Sequence, residues 1–221
     1  ACSGSEWMDM ILEWKNNYPL SYPQDNRLHP QYVIERISAL TKDDAIITTE
    51  VGQNQIWAAQ FYKYQRPRQF ISSGGLGTMG YGFGAAIGAK VARPDKVVID
   101  IAGDGSFRMN CGELATAVYY NIPVIVAIMN NSVLGMVRQW QDLFYGKRFS
   151  QTTLDRPPDF VKLADAYGAL GIRVTSPDEV DSAIIKAIES SRPTVIDFVI
   201  DKDEKALPIV PPGAPIDEII D

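Results

Sequence analysis

Apolar residues recur along this chain at two alternating spacings. Trp7, Met10, Ile11 and Trp14 share one helical stripe, which predicts a leading helix from Trp7 to Tyr18 and a Pro/Tyr-rich connector from Pro19 to Pro23. The alternation then becomes regular: helix Pro30 to Leu40, strand Ala45 to Thr49, helix near Gln53 to Tyr62, short strand Gln69 to Ser72, and a Gly/Ala-rich helix after Gly80. Two largely apolar runs follow, Val97 to Ala102 with Asp100 inside it and Val124 to Met129, as expected of strands buried on both faces of a parallel sheet. Between them lies a helical segment from Cys111 to about Tyr120, closed by Asn121 and Pro123. An aromatic segment (Val133 to Phe149), helix Asp159 to Tyr167, strand Ile172 to Thr175, helix Pro177 to Ser190 and strand Thr194 to Ile200 complete the pattern. Strands alternating with amphipathic helices predict an α/β fold, a doubly wound parallel sheet of about six strands with helices on both faces.

Such a sheet binds ligands at the carboxyl ends of its strands, so the residues just beyond each strand carry the chemistry. Asp104 follows one apolar run within Gly103-Asp104-Gly105, and Asn131 follows the next within Asn130-Asn131. Parallel neighbours need a crossover of roughly a dozen or more residues, and this segment has that length, so both side chains emerge at one edge. A carboxylate, an amide oxygen and a backbone carbonyl are hard donors suited to Mg²⁺, and Gly105 lets the backbone approach phosphates closely. Taken singly, Asp104 reads as a helix cap and Asn130-Asn131 as turn chemistry; the pair at this spacing favours the metal-diphosphate grip. Glu50 to Asn54, Gly103 to Ser106 and Asn130 to Met136 are the three loops expected to meet there.

Composition removes several function classes. A net charge of −6 gives no basic stripe for nucleic acid or anionic membrane. No apolar run approaches the roughly 18 residues of a membrane span, and the chain reads as cytoplasmic. Cys2 and Cys111 form neither a disulfide framework nor a zinc spacing. His29, the single histidine, precedes Pro30 and reads as a helix-entry residue without a catalytic partner. Ala1 to Ser5 is small and polar and is set aside as an expression remnant. The expected organisation is a leading helix and linker over 1–28, a cofactor domain over 29–205 and a tail over 206–221.

Gly75-Leu76-Gly77-Thr78-Met79-Gly80 fits G-x-G-x-x-G, with Asp100 twenty residues beyond Gly80, so a nicotinamide-dinucleotide site is a competing reading. The preceding segment is short and polar for a first Rossmann strand, and Asp100 sits inside its strand rather than at the end.

Gly103-Asp104-Gly105 followed by Asn130-Asn131 resembles the thiamine-diphosphate signature. The strings GQNQIWAAQFY (52–62), SGGLGTMGYG (73–82) and GMVRQWQDLFY (135–145) resemble the acetolactate synthase (acetohydroxyacid synthase) family, and in particular the carboxyl-terminal cofactor domain of its catalytic subunit. The resemblance implies thiamine diphosphate and Mg²⁺, the metal held by Asp104, Asn131 and the Val133 carbonyl. It places Val51, Gly52, Gln53, Asn54, Gly105 and Ser106 against the diphosphate and Gly103, Leu134, Gly135 and Met136 among the cofactor-binding residues, Asn54 standing where the family commonly has histidine. It gives Met79 and Gly77 the task of holding the cofactor's two rings in a V, so that positioning replaces a side-chain base. It puts Met136 and Trp140 in a substrate and inhibitor channel; helical spacing alone reads Met136, Val137, Trp140, Leu143 and Phe144 as a packing face. It further implies condensation of two pyruvates, or of pyruvate with 2-oxobutanoate, a homo-oligomer with shared sites, a regulatory subunit, and FAD held by a domain this chain lacks. The family's activating glutamate also belongs to another domain, and neither Glu50 nor Glu113 is expected to replace it. The chain alone is therefore expected to be inactive. Another thiamine-diphosphate 2-oxo acid enzyme and a non-catalytic binding module are the alternatives.

Overall fold

A computed structural model describes residues 4–221. In chain order the elements are α1 (Ser5–Asn17), α2 (Pro30–Leu40), β1 (Ile46–Thr49), α3 (Gln53–Phe61), β2 (Phe70–Ser72), α4 (Tyr81–Ala92), β3 (Val98–Gly103), α5 (Asp104–Phe107), α6 (Leu114–Tyr119), β4 (Ile125–Asn130), α7 (Gly135–Phe144), α8 (Phe160–Tyr167), β5 (Leu170–Val174), α9 (Val180–Ser190) and β6 (Thr194–Val199). The six strands form one sheet in the order β2-β1-β3-β4-β6-β5, and every pairing is parallel. The doubly wound expectation therefore holds.

Strand alternation sends side chains to opposite faces of the sheet and builds two cores. Ile99 and Ile101 of β3, with Ala127 and Met129 of β4, pack on one face against α2, α3 and α9. Val98 and Ala102, with Val126 and Ile128, pack on the other against α4, α6 and α8. Central strands covered on both sides read as near-continuous apolar runs, which is why β3, despite Asp100, and β4 were legible.

Differences from the sequence reading cluster at helix starts. The helix expected from Cys111 begins as a 3₁₀ turn at Cys111–Glu113, and α6 proper starts at Leu114. The short α5 begins immediately at Asp104. The aromatic segment contains α7, and the helix expected from Pro177 opens with a 3₁₀ turn, Pro177–Glu179, closed by a Ser176/Glu179 capping box. Helix α1 buries none of its residues. Residues 1–3 of the set-aside segment lie outside the described residues. No helix among the described residues is long and apolar enough to cross a membrane.

Winding fixes the site. From β1 the chain passes to β2 on one side and returns to β3 on the other, so the loops after β1 and β3 part in opposite directions. A crevice at the carboxyl ends of β1 and β3 is the position such sheets offer a ligand.

Candidate functional site

A cavity of about 190 Å³ occupies that crevice. Val51, Gly52, Gln53 and Asn54 line it after β1, Gly103 to Ser106 after β3, and Asn131 with Val133 to Val137 after β4. Met79 reaches it from the loop before α4. The three loops expected to converge do so. Trp57, Met129 and Val137 also line the cavity and were missed, because their apolar character reads as core.

Asp104 is the one charged residue in the lining among the described residues. Its side chain is almost fully buried, and Oδ2 has no hydrogen-bond partner among the described residues. Burial pushes the carboxyl up to about 6, opposed by the nearby backbone N–H groups of Asp104 itself and Asn131. A buried carboxylate oxygen without a partner is costly unless something supplies positive charge. Among the described residues no lysine, arginine or histidine lines the cavity, so a cation from solution is the fitting partner.

The other oxygens suit the same cation. Asn131 Oδ1 accepts the Val133 N–H at 3.2 Å and has room for a second partner. The Val133 carbonyl accepts no hydrogen bond among the described residues, while its neighbours Ser132 and Thr152 accept from Leu154 and Leu134 at 2.8 Å each. Those two bonds flank an antiparallel bridge between Val133 and Thr153, which pins the loop after β4. The donors thus include one carboxylate, one amide and one carbonyl. Accordingly, no group of three His, Cys, Asp or Glu side chains occurs among the described residues.

Close approach is built in at several glycines. Gly52 has φ +145°, a conformation that side chains rarely adopt, and it starts α3. A Cβ on Gly135 would strike the Gln53 side-chain oxygen and come within 2.7 Å of Asn131 Nδ2. At Gly105, which also lines the cavity, a Cβ would meet Leu134 at 2.9 Å and Leu154 at 3.3 Å, so this glycine admits side chains packed against it.

Asn54 is oriented by backbone. Its Nδ2 donates to the carbonyls of Glu50 at 3.0 Å and Ile101 at 2.8 Å, bracing β1 against β3. Its oxygen faces Gly52 and Gly103, so Asn54 offers the cavity an acceptor. Ser106 is likewise committed, donating its hydroxyl to Glu50 at 2.7 Å.

Two expected residues lie outside this cavity. Gly77 sits in a left-handed turn with φ +63°, its missing Cβ 3.8 Å from Val51. Trp140, 40% exposed, lines a separate shallow depression with Val137, Gln141, Tyr145 and Arg148, whereas Met136 lines the main cavity. The packing face expected of α7 is partial: Met136 packs against the core, Val137 and Trp140 are exposed, and the fully buried residue of the helix is the polar Gln139.

The dinucleotide geometry is absent. Such a site needs free N–H groups at the start of α4, but Glu50 accepts those of Gly80 at 2.7 Å and Phe83 at 3.1 Å. Asp100 is buried in mid-strand and accepts from Thr48 at 3.1 Å. Glu50, with both oxygens occupied, and Glu113, which accepts from Thr116, do not line the cavity. His29 starts α2, buried between Glu204 at 2.7 Å and Asp25 at 2.9 Å.

The family description "thiamine pyrophosphate enzyme, C-terminal TPP binding domain" matches residues 50–198. Among curated relatives, a probable acetolactate synthase large subunit from Methanococcus aeolicus is 48% identical over 98% of this chain and 37% of its own length. The acetolactate synthase isozyme 3 large subunit of Escherichia coli is 43% identical over 97% and 38%, and the mitochondrial catalytic subunit of Saccharomyces cerevisiae 45% over 98% and 32%. The chain thus spans about a third of the length of these relatives. A parallel sheet with its cavity at the switch point, a buried carboxylate suited to a cation and a match across most of the chain agree: this chain belongs to the thiamine pyrophosphate enzymes, as their C-terminal cofactor-binding domain.

Proposed function

We propose that this chain is the cofactor-binding domain of an acetolactate synthase catalytic subunit and holds Mg²⁺ with the diphosphate of thiamine diphosphate. The observation that carries the reading is Asp104 Oδ2, buried without a partner in a cavity that has no cationic side chain. A diphosphate cannot enter there unneutralised, and Mg²⁺ characteristically bridges carboxylate to phosphate. Asp104 and Asn131 hold the metal through side-chain oxygens and Val133 through its carbonyl. Val51, Gly52, Gln53, Asn54, Gly105 and Ser106 line the diphosphate, and Gly103, Leu134, Gly135 and Met136 line the rest of the cofactor; the Asn54 N–H₂, spent on two carbonyls, gives the diphosphate no donor.

When bound, thiamine diphosphate supplies the nucleophilic carbon and the electron sink for decarboxylating a 2-oxo acid. This chain's contribution is placement: Met79, aided by Gly77, supports the bend between the rings, and Met136 with Trp140 leads towards the substrates. At about 190 Å³ the cavity is smaller than the roughly 300–1,000 Å³ of a complete small-molecule site, which supports a half-site finished by another domain. The complete enzyme condenses two pyruvates, or pyruvate with 2-oxobutanoate, carries FAD outside this domain, and works as a cytoplasmic homo-oligomer with a regulatory subunit. The domain itself is taken as residues 29–205.

Product analysis on the complete subunit tests the assignment. Acetolactate from pyruvate is the expected product; free acetaldehyde or acetyl phosphate in its place would move the chain to another 2-oxo acid enzyme. The isolated chain should form no acetolactate.

A further inference from the structure

Gln139 does not line the cavity, yet it is the buried residue of α7, 2% exposed, and its amide stands at the head of a hydrogen-bonded relay ending on Asn131. We propose that Gln139 is a positioning residue that, through Gln53, fixes the Asn131 amide with its oxygen towards the metal position. The inference rests on the Mg²⁺ reading of the site.

The relay has a defined direction because it starts from backbone groups whose roles are not interchangeable. The Ala206 carbonyl can only accept, and Gln139 Nε2 donates to it at 3.0 Å. The Ala206 N–H can only donate, and Gln139 Oε1 accepts it at 2.9 Å. That oxygen also accepts from Gln53 Nε2 at 2.8 Å, and Gln53 Nε2 makes a second bond to the Glu204 carbonyl at 2.8 Å. Gln53 must therefore turn its Oε1 to Asn131, which donates through Nδ2 at 3.2 Å. Asn131 is left with Oδ1 facing the Val133 N–H and the cavity. Inverting any one amide would set oxygen against oxygen or N–H against N–H in a buried site, where an unsatisfied group costs about 1–3 kcal/mol. Groups outside a metal's immediate ligands commonly set ligand orientation in this way, and removing one typically costs about 10–100-fold in metal affinity.

The test is a titration of the 221-residue chain with thiamine diphosphate across a Mg²⁺ series, for wild type, Gln139→Met, Asn131→Ala and the double variant. Methionine keeps the length of glutamine and removes its hydrogen bonds. The Mg²⁺ concentration for half-maximal binding should rise about tenfold or more in Gln139→Met and change less than about twofold when Gln139→Met is added to Asn131→Ala. Equal effects in both backgrounds, or none in wild type, would overturn the inference; a purely structural role lowers the melting temperature without this coupling. Nitrogen-edited NMR of the metal-free chain reads the relay separately from the metal. Slowly exchanging Asn131 side-chain N–H signals that become fast in Gln139→Met support it, and signals unchanged by the substitution sink it. Wild-type binding that ignores Mg²⁺ would instead overturn the metal reading, and this inference with it.

Discussion

The Glu50 carboxylate, at the end of β1, accepts the backbone N–H of Gly80 at 2.7 Å, thirty residues along the chain. Its second oxygen accepts Phe83 N–H, so a strand end caps α4, whose own N-cap residue has no side chain. The same carboxylate accepts the Ser106 hydroxyl at 2.7 Å. One buried acid therefore joins the loop carrying Met79 to the loop carrying Asp104. Glu50→Gln, which turns an N–H₂ towards backbone donors, should lower stability by about 1–3 kcal/mol in urea unfolding, because it leaves buried groups unpaired. A midpoint equal to wild type would remove Glu50 from this role.

Asp104 sets stability and binding against each other. Its folded carboxyl is raised from 3.8 to about 6, so the folded state binds the proton more tightly than the unfolded. The resulting stabilisation is present in full below about pH 4 and lost as pH rises through about 6. Asp104→Asn should therefore make the metal-free chain more stable at pH 7, by about 3 kcal/mol at most, with the gain vanishing below about pH 4. Denaturation of both proteins from pH 3.5 to 8 checks it; a variant less stable than wild type at pH 7 contradicts the stated cost.

Metal binding has the opposite pH sign. Mg²⁺ needs the ionised carboxylate, so metal-dependent affinity should fall roughly tenfold per pH unit below about 6 and level off above it. A flat profile from pH 5 to 8 would show that Asp104 is not the ligand that titrates.

Two glycines separate folding from site geometry. A Cβ on Gly82 would overlap the Asp100 carboxylate and lie 2.5 Å from both Glu50 N and Thr49 C, backbone that cannot move aside. Gly82→Ala should cost more than about 3 kcal/mol or prevent folding. Gly135→Ala presses on side chains instead, Gln53 and Asn131, and should cost about 1–3 kcal/mol while abolishing Mg²⁺-dependent binding. Far-UV circular dichroism and melting separate the two outcomes; normal binding by Gly135→Ala would refute the packing argument.

What the sequence made legible follows from locality. Buried parallel strands announce themselves as apolar runs, and side chains just past their ends must emerge at one edge, so Asp104 and Asn131 pair from the sequence alone. Gln139 could not be found this way: its partners Gln53 and Ala206 lie 86 and 67 residues away, and only the folded chain brings them together. Glu50 was placed at a strand end, but its partners across to Gly80 and Ser106 were not visible. The resemblance alone put Trp140 in a channel beside the site; in the fold it lines a depression that shares Val137 with the main cavity.

The central claim is that Asp104 and Asn131 hold a metal that in turn holds a diphosphate. Calorimetric titration of this chain with thiamine diphosphate, with Mg²⁺ and with chelator, tests it directly. The account predicts binding with Mg²⁺ alone and its loss in Asp104→Ala. Equal affinity with and without Mg²⁺, or full binding by Asp104→Ala, would contradict it.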